Sequence, residues 1–337
     1  MILLMLSIVN PERLVRLAYK YPSLRLTWYI VACAALTVVN QPEEIPKVFH
    51  FALRQQLLEH LPQPSLLTDS HLLQLASDSI SSLEKFAELS LVGVRLPDVL
   101  IPYTYHDKFN YKYTASEDIK RCQEEVARKI RECILKSSAL SGLPKAINAL
   151  MILKSVTPTS IRPSQHSERP LLVVLSVVEK SSDIVQEDVN GTKLNMDDVE
   201  TIDGIITTDC VNATQIQKDL IRGSEFWNTI YTNKINTRIR KQMINAYPDL
   251  WQYTFHHVYA PLLSFTDVLT PPETLMCVVA CLIPQDVNPQ LKGHLKGAIN
   301  VGVTKQELND LRSLVFDICD WSGGTYWRNG KESVAKL

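Results

Sequence analysis

The sequence predicts an all-α protein built from two related helical modules. Only 11 of its 337 residues are glycine, and glycine is costly inside helices but useful in the tight turns of β-proteins. Apolar residues recur at helical spacing through most of the chain, and two segments near the end carry complete helix-start signals. The length favours two domains, since a domain typically takes about 150 residues.

The first predicted module covers residues 1–156. Its apolar stretch from Leu26 to Val39 is too short to cross a bilayer and is typical of a buried core helix. A stripe of apolar residues at helical period follows a capping-box pattern at Thr114–Glu117. Further helices are predicted over Ile45 to Leu61, Ser70 to Ser90 and Lys145 to Lys154.

Residues 157–212 form the predicted linker. Three prolines lie between Thr157 and Pro170, and the part from Ser181 to Asp203 is acidic and polar, which is typical of a mobile segment. The apolar run from Leu171 to Glu179 fits a strand or a helix equally well.

The second predicted module covers residues 213–325, and a tail follows over residues 326–337. Helices are predicted from Thr214 past Trp227, from Arg238 to Ala246, and from Trp251 to Phe265. Thr270 to Glu273 then supplies an N-cap threonine, an N1 proline and an N3 glutamate in order.

An internal repeat supports the two-module organisation. Cys33 precedes His50 by 17 positions, and Cys277 precedes His294 by the same 17. In both places two apolar helical segments are separated by a polar break. The shared register favours duplication, although helical proteins often show weak self-similarity.

The segment from Gln290 to Glu307 resembles the signature of the carboxymuconolactone decarboxylase and AhpD family. In that family a helix carries a histidine and a face of small residues, and a Gly-x-Thr-x-x-Glu turn begins the next helix. His294, Gly302, Thr304 and Glu307 hold these positions here. Weaker matches lie at Arg222–Trp227, Ala246–Leu250 and Ile130–Ala146. The resemblance implies a helical bundle that commonly forms homo-oligomers.

The redox branch of the family uses a Cys-x-x-Cys pair just before the histidine, because one thiolate attacks and the other resolves the mixed disulfide. Residues 287–290 of this chain are Val, Asn, Pro and Gln. Peroxidase-linked activity is therefore disfavoured, and a thiol oxidoreductase would have to use Cys277 and Cys281 instead. These two cysteines fit core packing better.

Three residues are candidates for catalysis. His294 is the best single acid–base candidate because the free imidazole titrates near neutrality, although a satisfied core histidine fits as well. Glu273 could relay a proton, but its N3 position also explains it as a helix cap. Cys277 completes the set. With Lys292 or Lys296 to hold a carboxylate, His294 could act on a small organic acid or acyl compound, as the decarboxylase branch does.

Composition limits the partners. The net charge of -1 gives no reason to expect nucleic acid or an anionic membrane. Seven scattered cysteines predict free thiols. We find no membrane span and no motif for a cofactor or a metal, so no cofactor is predicted. A small-molecule substrate is the expected ligand.

The chain ends in Ala335, Lys336 and Leu337, a variant of the Ser-Lys-Leu peroxisomal signal. This tripeptide predicts location in the peroxisomal matrix, with the cytoplasm as the alternative, and an import receptor as partner. Three hypotheses remain for function: a decarboxylase-like enzyme, a thiol oxidoreductase, and a non-catalytic protein of binding or assembly.

Overall fold

The computed structural model describes residues 7–59, 68–101, 117–163, 167–173, 199–201, 204–206 and 210–337. The helices of the first predicted module are α1 (Pro11–Tyr19), α2 (Trp28–Val38), α3 (Ile45–Glu59), α4 (Asp69–Leu91), α5 (Glu117–Ser141) and α6 (Leu143–Ser155). Short 3-10 turns lie at Pro22–Leu24, Pro42–Glu44 and Thr159–Ile161.

The helices of the second predicted module are α7 (Ala213–Ile230), α8 (Asn233–Ala246), α9 (Pro248–Gln252), α10 (Pro271–Leu282), α11 (Asn288–Asn300) and α12 (Lys305–Ser322). A π-helical segment, Tyr253–Leu263, follows α9 directly. Two further 3-10 turns lie at Ile283–Gln285 and Lys331–Ser333.

The all-α class is confirmed. Within the described ranges, the sheet structure is one antiparallel ribbon of β1 (Val199–Thr201) and β2 (Gly204–Ile206), with an isolated bridge between Val173 and Val211. This ribbon was not predicted from the sequence. Most of the predicted acidic segment, most of the run from Leu171 to Glu179, and residues 114–116 of the first capping box lie outside the described residues.

Helix α2 lies at the centre of the core. All of its residues are buried, as expected for a helix that is apolar on every side. It packs against α5, α10 and α12, and α5 also packs against α3, α6 and α10. The core is therefore continuous between the two predicted modules.

Polar contacts also join the two halves. The Asp317 carboxylate on α12 accepts hydrogen bonds from Arg16 on α1, at 2.6 and 2.8 Å, and from the Tyr21 hydroxyl at 2.6 Å. The buried ammonium of Lys136 on α5 donates to the Phe265 carbonyl and the Thr274 hydroxyl, both at 2.7 Å. These contacts do not test the division into two modules, which stays a prediction, as does the homo-oligomer.

The two histidine-bearing helices occupy equivalent places in two helix pairs. A 3-10 turn joins α2 to α3, and another joins α10 to α11. Asn40 and Asp286, one in each connection, adopt left-handed backbone conformations with φ of 58° and 56°. This shared order agrees with the sequence register, and α2 and α10 pack directly against each other.

Candidate functional site

A cavity of about 830 Å³ lies beside His294, between α7, α8, α11 and the π-helical segment. Its walls are mainly aromatic and aliphatic, and include Trp227, Tyr231, Tyr259, Ile239, Met243 and Leu263. Cavities of roughly 300–1,000 Å³ with apolar walls and a few polar groups are the usual form of a small-molecule site.

Two glycines allow the helices that form the cavity walls to approach each other closely. A Cβ atom at Gly297 on α11 would lie 2.5 Å from Cγ2 of Ile230, and one at Gly223 on α7 would lie 2.6 Å from Cα of Ala260. Contacts this short would force the neighbouring atoms to move if either glycine were replaced by a larger residue. Helix α7 therefore packs tightly on both α11 and the π-helical segment.

The helix that carries His294 is followed by the glycine and the capping box that the sequence predicts. Gly302 has a φ of +104°, a conformation that glycine tolerates best. Thr304 and Glu307 then form a capping box that begins α12, in which the Thr304 amide donates to Glu307 Oε2 at 2.7 Å.

His294 contacts a pair of tyrosine hydroxyls. Its Nε2 lies 3.3 Å from the Tyr231 hydroxyl, which lies 3.1 Å from the Tyr259 hydroxyl. Its Nδ1 is inaccessible to solvent and has no hydrogen-bond partner among the described residues. An unsatisfied buried nitrogen is costly, and the residue that carries it lines the cavity.

Burial controls the protonation of this group. It lowers the pKa of His294 from 6.5 to about 4, because the imidazolium form loses its hydration. The ring is therefore neutral near neutral pH, with one nitrogen as donor and the other as acceptor. Burial also raises the pKa of the Tyr231 and Tyr259 hydroxyls, so both remain protonated.

Trp227 fixes the two tyrosines. Its ring centroid lies 4.5 Å from those of Tyr231 and Tyr259, and its indole nitrogen donates to Asn236 Oδ1 at 2.9 Å. Neither Tyr231 nor Tyr259 was predicted from the sequence as a residue of the site. Tyr231 is the residue that follows α7, and only the close packing of α7 on α11 reveals its place beside the histidine.

His50 has a different environment from its counterpart. Its Nε2 donates to the Val156 carbonyl at 2.8 Å, and its ring packs edge-on against Phe86 at 4.6 Å. Burial lowers its pKa to about 3. The neutral His50 is therefore a satisfied core residue, and it does not line the cavity beside His294.

Glu273, the second predicted catalytic residue, acts as the N3 residue of α10. Its carboxylate accepts from the Thr270 amide at 2.9 Å and from Lys129 at 2.8 Å. The predicted cap is confirmed. Glu273 is not among the residues that line the cavity.

Cys277, the third predicted catalytic residue, lies in the core. Its sulfur is 3.5 Å from that of Cys133 and from the Ser137 hydroxyl, and Cys281 contacts the same hydroxyl at 3.4 Å. All three thiols are inaccessible to solvent, and none of them lines the cavity. Hydrogen bonds from Cys133, Cys281 and Ser137 lower the pKa of Cys277.

The terminal tail is packed onto the second module. The Trp327 indole donates to the Ile283 carbonyl and the Ala335 amide donates to Asn288 Oδ1, both at 2.7 Å. Ala335 is buried, whereas Lys336 and Leu337 are exposed. This packing was not predicted from the sequence, which indicated only a tail over residues 326–337.

Within the described residues, no cluster of histidine, cysteine or carboxylate side chains could hold a metal ion. None of the helices in those ranges combines the length and apolar character that a bilayer span requires.

Comparison with known proteins shows the family. Peroxisomal protein 2 of Saccharomyces cerevisiae is 34% identical over 333 residues, which cover 98% of this chain and 99% of that protein. Peroxisomal protein 2 of Schizosaccharomyces pombe is 29% identical over 204 residues, covering 60% of this chain and 75% of the relative. No family model and no solved structure gives a significant match.

These findings identify an all-α protein of the peroxisome. The chain belongs to the Peroxisomal protein 2 family.

Proposed function

We propose that this protein is a peroxisomal enzyme similar to the carboxymuconolactone decarboxylase group, which acts on a small organic acid or acyl compound through His294. The observation that carries the proposal is His294, which lines a cavity and whose buried Nδ1 has no hydrogen-bond partner among the described residues. A histidine kept only for packing would pair both ring nitrogens or leave one in water, and His50 illustrates such a satisfied core residue.

The ring chemistry suits proton transfer. With Nε2 accepting from Tyr231, Nδ1 carries a hydrogen through which it can donate a hydrogen bond to a substrate oxygen. With Nε2 donating to Tyr231, the Nδ1 lone pair can accept a proton from a carbon acid. The Tyr231–Tyr259 pair supplies the hydroxyl that stabilises either tautomer. Glu273 and Cys277 have structural roles in this proposal, a helix cap and a core contact.

Replacement of His294 by Asn tests the catalytic proposal. Asn keeps hydrogen-bonding capacity but cannot transfer protons near neutral pH. Metabolites of peroxisomes containing the wild-type protein or the H294N variant are compared by mass spectrometry. We expect one organic acid or acyl compound to accumulate in H294N and its product to fall.

The matched control is H256N, because His256 is exposed and does not line the cavity. It should give the wild-type profile. Identical profiles for wild type and H294N, with both proteins folded at equal abundance, would refute catalysis by His294 and favour the non-catalytic hypothesis.

We also propose that Ala335, Lys336 and Leu337 bind the peroxisomal import receptor. Lys336 and Leu337 are exposed, while the amide of Ala335 is engaged by Asn288. Leu337→Glu should move the full-length protein to the cytosol, as seen by fluorescence of an N-terminal tag, whereas Glu332→Gln should not. Unchanged import of the Leu337→Glu protein would exclude this tripeptide as the signal.

A further inference from the structure

Three cationic side chains line the cavity beside His294. They are Arg238, Lys292 and Lys296, and all three are exposed. No Asp or Glu among the described residues lines the same cavity. A ligand that enters the cavity therefore meets cations and no opposing carboxylate.

One wall of the cavity is an amphipathic helix, α8, whose apolar face is only partly buried. Ile235, Ile239 and Met243 lie at helical spacing on α8, line the cavity and are half-buried, with part of each side chain packed against the core. No side chain from residue 235 to residue 246 is fully buried. An apolar stripe of this kind normally packs against a core, and the exposed remainder of this one is apolar surface that a ligand can cover.

The size of the cavity separates two kinds of ligand. A short organic acid would leave most of about 830 Å³ empty or filled with water against apolar walls. A ligand with an extended hydrocarbon part would cover those walls, and burial of apolar surface is the main favourable term in such binding.

We propose that the cavity binds an amphipathic acyl anion, with its hydrocarbon chain along the Ile239 and Met243 face of α8 and its anionic head at Arg238, Lys292 and Lys296. This inference rests on the His294 site of the proposed function and specifies its substrate class. The carbon atoms nearest the head then lie near the neutral imidazole, which is where proton transfer would occur.

Calorimetric titration of the full-length protein with hexanoate, decanoate and tetradecanoate tests the binding mode. We expect saturable binding that tightens from hexanoate to decanoate, and weaker binding of decanol, which has the chain but no charge. Decanoyl coenzyme A is titrated in parallel. Tighter binding of this thioester than of decanoate identifies the thioester as the source of the acyl group. Tighter binding of decanoate identifies the free acid.

Charge variants provide matched controls. Arg238→Gln combined with Lys292→Gln and Lys296→Gln should weaken decanoate binding about ten-fold or more, because exposed ion pairs are individually weak but act together here. Lys241→Gln changes an exposed cation on the same helix that does not line the cavity, and should leave binding unchanged. Absence of saturable binding for every chain, equal binding of decanol and decanoate, or no loss in the triple variant would overturn the inference.

Binding and catalysis can fail separately. If H294N has the wild-type metabolite profile while decanoate still binds through the three cations, the catalytic proposal is wrong and the ligand class stands. If H294N alters the profile but no acyl anion binds, the ligand class is wrong and catalysis by His294 stands.

Discussion

Gly297 on the histidine-bearing helix lies directly against Ile230, so closely that a Cβ atom there would be 2.5 Å from the Ile230 Cγ2. Ile230 is the last residue of α7 and Tyr231 follows it. The contact therefore fixes the distance between the Tyr231 hydroxyl and His294, and it makes the site sensitive to a single methyl group.

Gly297→Ala should destabilise the protein by about 1–3 kcal/mol, the usual cost of forcing a methyl group into a packed contact. Gly293→Ala on the same helix is the matched control, because its Cβ would meet nothing closer than Tyr231 Cε1 at 3.8 Å. That variant should be neutral or more stable, since alanine favours helix. Urea unfolding measures both, and equal stabilities would contradict the close approach.

The stability of the protein should fall as the pH is lowered from 6.5 towards 4. Burial lowers the His294 pKa from 6.5 to about 4 in the folded protein, so the unfolded chain binds a proton first and is favoured in that window. The stability that neutral His294 contributes is complete above 6.5, its pKa in the unfolded chain. This stability is lost as the pH falls towards about 4, its pKa in the folded protein.

The unfolding free energies of wild type and H294N, measured across this range, check the assignment. His50 and the carboxylates titrate in both proteins, so the wild type should lose stability more steeply than H294N. Parallel curves would mean that His294 is not buried in its neutral form.

Tyr231→Phe should change the electronic state of His294 without removing the ring that packs against Trp227. The hydroxyl within 3.3 Å of Nε2 is lost, and one such hydrogen bond contributes about 1 kcal/mol. Nitrogen NMR of the histidine ring should show a shift at Nε2 and a changed tautomer ratio. Tyr247→Phe, an exposed tyrosine away from the cavity, should leave the spectrum as in wild type.

Lys136→Met should lower the free energy of unfolding by about 3 kcal/mol, because the Phe265 carbonyl and the Thr274 hydroxyl lose a buried donor. Burial lowers the Lys136 pKa to about 8, so the group is largely charged at neutral pH, and its loss also removes a neighbour of Glu132. Lys241→Met, on an exposed position, is the control and should unfold like wild type. A wild-type stability for Lys136→Met would show that these contacts contribute little.

The features that the sequence predicted correctly are those determined by residues close together in the chain. The Thr270–Glu273 and Thr304–Glu307 boxes and the left-handed Gly302 each depend on residues a few positions apart, so the pattern determines the structure. The uniformly apolar α2 likewise predicts its own burial. The place of His294 in a helix was predictable for the same reason.

The surroundings of the site depend on tertiary packing, which a single sequence does not show. Tyr231 and Tyr259 reach His294 only because α7 packs against both α11 and the π-helical segment at glycines. Nothing in the spacing distinguished His294 from His50, although one lines a cavity and the other is satisfied by the Val156 carbonyl. The packed tail escaped prediction because its anchors, Ile283 and Asn288, lie 44 and 47 residues upstream of the residues they bind.

The Ala335 amide donates a hydrogen bond to Asn288 Oδ1, and Asn288 is the first residue of the helix that carries His294. If the import receptor binds Ala335, Lys336 and Leu337 as proposed, this hydrogen bond has to break when the receptor takes up the tripeptide. Detachment of the tail then costs about 1 kcal/mol for that hydrogen bond, which receptor binding has to exceed.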